Sequence, residues 1–254
     1  MLSDSRFEFT KDNIDAYLKA LAKEYRKQVG KRMPAEIIII GGASVLINYG
    51  FRNMTTDIDA LILAASAMKD AINSVGDQYD LPNGWLNSDF SNTDSYSEKL
   101  IEHSVFYKTY SNVLTIRTVS SEYLIAMKLR SGRLYKSDMS DVLGILAEHK
   151  KQGNPISMEQ IQKAVSDLYG SREEVTETSK SFIESIMREG NYVELYEEIL
   201  KNEEEARKVL IRFDQEHPGI LGDSNADQIV GTIQNKANSD AIIEKLRKSK
   251  DANS

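Results

Sequence analysis

The chain of 254 residues holds no cysteine, carries a net charge of −7, and is 41% apolar and 28% charged, which excludes a disulfide scaffold, a thiolate metal site, a cysteine nucleophile and global disorder. The acidic balance argues against non-specific coating of DNA, which requires clustered Lys and Arg to neutralise phosphates. Charges at Asp4, Arg6, Glu8, Lys11 and Asp12 interrupt any signal-peptide core, and the longest strongly apolar run, Ile37–Ile40, is far short of a bilayer span, so a soluble, cytoplasmic chain with no membrane partner is expected.

Residues 11–32 place Ile14, Leu18, Leu21 and Tyr25 at helical spacing, and Pro34 ends that helix. AEIIII then reads as a buried strand from its β-branched run. Gly41-Gly42 follows, then a short helix ending at Gly50, and a second β-rich run at roughly 56–63. Residues 65–76 read as a helix stopping at Gly76, and 77–101, with the only tryptophan at Trp85, as a polar, irregular excursion with a little packing of its own. Strands are expected near 103–108 and 113–118. SSEYLIAMKLRSG is a helix with a serine N-cap and Gly132 beyond its end, and SDMSDVLGILAEHKK is another. A Gly/Pro break at 152–156 divides a mixed α/β half, 1–152, from a helical half, 153–254. In the second half, helices are expected over ISMEQIQKAVSDLYG, 173–189, 191–213 and 224–250.

The stretch that carries chemistry is IIIIGGASVLINYGFRNMTTDIDALIL. Residues i and i+2 of a strand share a face, so Asp57 and Asp59 repel each other unless a hard divalent cation sits between them. Gly41 and Gly42 allow a ligand close to the backbone, and the helix after them offers free N–H groups to a phosphate, with Ser44 as an added hydroxyl donor. Arg52 and Thr56 lie between these two halves and join the candidate nucleotide-binding set. Farther on, Lys128 falls at the edge of an apolar helical stripe, where a lysine either snorkels to solvent or reaches a specific anion. Asp138 and Asp141 sit near a helix start, where the dipole alone also favours acids.

Gly-Gly-x-Ser, a spacer and Asp-Ile-Asp on the next strand resembles the polymerase-β-type nucleotidyltransferase superfamily. More narrowly, GGASVLINYGFRNMTTDIDALI with YLIAMKLRSGRLYKSDMSDVLGIL is similar to the toxins of the bacterial abortive-infection AbiE system and to a sister group of uncharacterised nucleotidyltransferase-like proteins, over about 35–147. The resemblance implies a nucleotidyltransferase fold, a small mixed sheet flanked by helices, in the first half. It implies Mg²⁺ (or Mn²⁺) on Asp57 and Asp59, β- and γ-phosphates at Gly41, Gly42 and Ser44, and Lys128 against the triphosphate. Asp138 or Asp141 would orient the nucleophile or the lysine. The implied activity is transfer of a nucleoside monophosphate from an NTP to an RNA (tRNA among them) or protein hydroxyl, in a toxin-like role with an antitoxin partner. Many superfamily members carry a third carboxylate on a later strand; the strand taken to match, VLTIRT, offers Thr115 and Arg117. That departure keeps a non-catalytic nucleotide- or partner-binding module as the alternative.

Overall fold

A computed structural model describes residues 7–133, 135–222 and 225–233. Helix α1 (Lys11–Val29) opens on a capping box in which the Asn13 side chain accepts the Thr10 N–H at 2.9 Å. Its buried face is Ile14, Leu18, Leu21, Ala22 and Tyr25, the stripe expected from the spacing. Strand β2 (Ala35–Ile39) follows Pro34, and Ile37, Ile38, Ile39 and Ile40 are all fully buried. A strand covered on both faces reads as an unbroken apolar run, and each such side chain contributes roughly 1.5–3 kcal/mol of burial.

Helix α2 (Gly41–Asn48) leads to β3 (Met54–Thr55), which pairs antiparallel with β1 (Phe9–Thr10), and then to β4 (Ile58–Leu63). Helix α3 (Ala67–Tyr79) runs past Gly76, where the sequence reading ended it. Gly76 keeps helical backbone and packs beside the Trp85 indole, which a Cβ there would meet at 3.5 Å, an ordinary contact. A glycine inside a helix costs only about 1 kcal/mol against alanine, and the helix ends at Asp80 in a left-handed turn. Trp85 is buried, its indole N–H donating to the Ile72 carbonyl at 3.1 Å. The stretch expected to be irregular therefore carries core, and it also carries strand β5 (Leu86–Asn87).

Strands β6 (Ser104–Tyr110) and β7 (Leu114–Val119) fall where the sequence places them, as do α4 (Ser121–Ser131), with Ser120 and Gly132 as its caps, and α5 (Asp138–Lys151). Three further helices follow, α6 (Met158–Tyr169), α7 (Glu177–Glu189) and α8 (Tyr192–Glu216). Of the helix expected over 224–250, residues 226–233 are helical; the rest lies outside the described residues.

The sheet is mixed, in the order β5-β4-β2-β7-β6. β2 pairs antiparallel with β4 and parallel with β7, β4 parallel with β5, and β6 antiparallel with β7. Helices α1 and α3 pack on each other, and their buried residues join Ile37, Ile39, Ile58, Ala60 and Trp85 in one apolar cluster. A small mixed sheet flanked by helices agrees with the expected fold. The chain divides into two compact units. One takes the described residues to Gly132 together with Asp138–Tyr196, and holds the whole sheet and α1–α7. The other takes Arg133, 135–137 and the described residues from Glu197 onward, around a core of Tyr135, Ala206, Leu210, Ala226 and Val230. Among the described residues, no helix is long and apolar enough to cross a membrane.

Candidate active site

The end of β2 and the beginning of β4 lie side by side because the two strands are antiparallel. The Ile40 N–H donates to the Asp59 carbonyl at 2.9 Å, which fixes Asp59 next to the turn into α2. At that turn Gly41 adopts φ +58°, and a Cβ there would stand 3.5 Å from Asp59 Oδ2. The backbone conformation favours glycine, and the distance, an ordinary contact, shows how near the carboxylate stands to the turn. The helix begins at Gly41 itself, one residue pair earlier than the sequence reading set it. Ile40, its extended N-cap, supplies no side-chain hydrogen bond, so the first-turn N–H groups have no side-chain cap and no intrahelical acceptor.

Asp57 immediately precedes β4 and is exposed; Asp59 lies inside the strand and is half-buried. Thr56, beside Asp57, is exposed. Ser44 is fully buried in α2, where its hydroxyl accepts from Asn48 Nδ2 at 3.5 Å. It faces the helix rather than the space in front of the glycines.

Behind the glycines stands a buried ionic network that joins three distant parts of the sequence. Arg52 Nη1 donates to both oxygens of Asp141, at 2.8 and 2.6 Å, and Arg52 Nε to the Met54 carbonyl at 3.1 Å. Lys128 Nζ lies 2.9 Å from Asp138 Oδ1 and 2.8 Å from Asp141 Oδ2. The side chains are buried, Arg52 being the most open at 18% exposure. Two cations and two carboxylates balance, which is the condition for holding charge away from water. Lys128 does reach a specific anion, as its place on the apolar stripe allowed, and the anions in the structure are the two aspartates. Burial alone would push its ammonium down; Asp141 and Asp138 outweigh that burial and the opposing Arg52, and hold it above its ordinary value.

Gly42 brings this network to the N-terminal end of α2. A Cβ there would meet Arg52 Nη2 at 2.7 Å and Thr55 Oγ1 at 3.0 Å. The tip of an arginine ordinarily swings aside, but this one is held by Asp141 and Met54. Gly42→Ala is therefore expected to lower stability by about 1–3 kcal/mol, read as a lower thermal midpoint. An unchanged midpoint would mean that the guanidinium is free to move. The far end of α2 is fixed separately: the Tyr49 hydroxyl donates to Ser121 at 2.8 Å, and Ser121 Oγ lies 2.8 Å from His149 Nε2.

The sequence reading missed Asn87. It compared β7 with the strand that bears a third carboxylate, but β2 separates β7 from β4. The strand beside Asp59 on its other side is β5, and Asn87 is in register with Asp59. Its signal in sequence is a two-residue strand inside a polar stretch, too short for any periodicity to show. Among the described residues, no three His, Cys, Asp or Glu side chains gather to hold a metal. Asp57 and Asp59 form a two-carboxylate donor set of hard oxygens. That fits a Mg²⁺ ion, which takes one or two protein carboxylates and completes its shell with phosphate and water.

A family model described as "Nucleotidyltransferase of unknown function (DUF6036)" matches residues 16–183, about two thirds of the chain. No curated protein and no solved structure matches it.

Proposed function

The chain belongs to this family of nucleotidyltransferases of unknown function, and on that premise we propose that it moves a nucleoside monophosphate from an NTP to a hydroxyl of an RNA, such as a tRNA, or of a protein. The observation that carries the reading is the closeness of the Asp59 carboxylate to Gly41 at the open start of α2, 3.5 Å from where a Cβ would stand. That juxtaposition supports an anion at the helix end beside a metal ion on the carboxylate.

Asp57 and Asp59 would hold Mg²⁺ or Mn²⁺, which when bound draws charge from the phosphates and eases the approach of the attacking oxygen. The N–H groups of Gly41, Gly42 and Ala43 donate to β- and γ-phosphate oxygens. Arg52, whose Nη2 borders Gly42, adds a cation to the same phosphates, and Thr56 lines the approach. Asp141, Lys128 and Asp138 act through Arg52 as positioning residues. The acceptor oxygen bonds to the α-phosphorus, the bond from that phosphorus to the bridging oxygen breaks, and pyrophosphate leaves. By the resemblance to AbiE toxins, the role we assign is toxin-like, with an antitoxin as protein partner.

Asn87, standing beside Asp59 where a carboxylate would serve as a further ligand, favours one second reading: a module that binds nucleotide without transferring it. Incubation of the full chain with Mg²⁺, each α-labelled NTP in turn, total RNA and a protein extract separates the two. Label on one acceptor class in the wild type, lost in Asp57→Ala, is the expected result. NTP binding that depends on Mg²⁺, without label on any acceptor, selects the binding module.

A further inference from the structure

A groove of about 880 Å³ lies along α3, β5 and the segment between them. Asn87, which lines it, is in register with Asp59, so the groove begins one strand spacing, about 4.8 Å, from the backbone of a residue assigned to the reacting centre. Its charged and amide side chains are Lys69, Asn73, Asp77, Asn83, Asn87 and Asp89. Two carboxylates stand against one ammonium. A nucleic-acid channel has the opposite character: it neutralises phosphates with cations and presents aromatic faces to bases. The one aromatic lining this groove, Trp85, is only 2% exposed, and its indole N–H is committed to Ile72. Asn87 spends its amide on the Gly84 carbonyl and the Asp89 N–H, whereas Asn73 and Asn83, both exposed, offer a donor and an acceptor together, matching a peptide backbone, and β5 is the edge strand of the sheet, where an extended segment can run alongside.

We propose that this groove is the acceptor site and that it takes an extended protein segment whose hydroxyl residue is flanked by basic side chains. The proposal rests on the transferase reading above and chooses between its two acceptor classes.

Trp85 is the only tryptophan of the chain, so its emission reports on the groove without requiring catalysis. The full chain is titrated with a synthetic dodecapeptide of alternating Ser and Lys, with its Ser/Glu counterpart, and with an oligouridylate of equal length. A saturable change with the Ser/Lys peptide is expected, at least about tenfold tighter than with the other two. In the variant Asp77→Lys/Asp89→Lys that affinity is expected to fall at least about tenfold. Both aspartates are exposed, and an unchanged circular dichroism spectrum establishes that the variant folds. Tighter binding of the oligouridylate, no response to any peptide, or equal peptide affinity in the variant overturns the proposal. The same three acceptors are then offered with Mg²⁺ and α-labelled NTPs. Label on the oligouridylate and none on peptide removes the acceptor assignment while leaving the transferase reading intact. Peptide binding with no label on any acceptor removes the transferase reading itself, and the acceptor role with it.

Discussion

Asp59→Asn is expected to lower nucleotidyl transfer at least about a hundredfold, because a metal that polarises the phosphates contributes several kcal/mol to the transition state. The substitution keeps the size of the side chain and leaves untouched the backbone bond by which Ile40 holds the start of β4. The loss should therefore fall on activity and on Mn²⁺ affinity, measured by titration of the free protein, with the fold retained. Asp57→Asn should lose less. Asp57 stands outside the strand and is exposed, so water replaces its oxygen more readily than that of a side chain fixed in register between β2 and β5. Transfer by Asp59→Asn within a few-fold of the wild type would remove the carboxylate pair from the mechanism.

The second large effect is on stability. Asp141→Ala takes the counter-charge from Arg52 and one of two from Lys128, leaving buried cations short of carboxylate. Breaking a buried pair in this way costs about 3–5 kcal/mol, a fall of roughly 10 °C in thermal midpoint for a unit of this size. Lys128→Met should cost a similar amount, by taking the ammonium from between Asp138 and Asp141. Adding Asp138→Asn removes one of those two carboxylate charges and is expected to recover part of that loss; a strictly additive double variant would mean that shape, and not the pairing of charges, holds the cluster. The pH dependence follows from the raised Lys128 ammonium. A cation held above its unfolded value contributes fully below that value, about 10.4, and the contribution is lost only as pH rises through the higher folded one. Denaturant melts should thus show this share of the stability intact from neutral pH to about pH 10 and falling beyond.

The elements that were legible in the sequence are those whose burial repeats. The α1 stripe and the run of four isoleucines at the end of β2 stand out because every position in them is buried. The pairing of the glycines with Asp-Ile-Asp was legible too, since a two-strand turn brings neighbouring segments together. Trp85 and β5 were not, because a buried ring and two strand residues in a polar stretch make no pattern, and Gly76 reads as a terminator although α3 runs on to Tyr79. Nor were the partners of Lys128. Its place at the edge of an apolar stripe predicts either water or an anion, and the choice is made by the packing of α5, which no local window contains. Asp138 and Asp141 look like dipole-favoured acids at a helix start until the structure sets Arg52 and Lys128 against them.

Arg52 and Asp141 are 89 residues apart in the chain, and this separation bears on how the protein is made. During synthesis the segment with both glycines, Asp57 and Asp59 emerges first, complete as sequence by Leu63. The Arg52 guanidinium does not meet Asp141 until α4 and α5 have also emerged and closed over it. Contacts of such long range form late and at high entropic cost, so competence to hold a triphosphate should arrive with the docking of α5 and not with the motif. A nascent chain halted before residue 138 would display every residue of the glycine and aspartate motifs and still lack the carboxylate that aims the arginine.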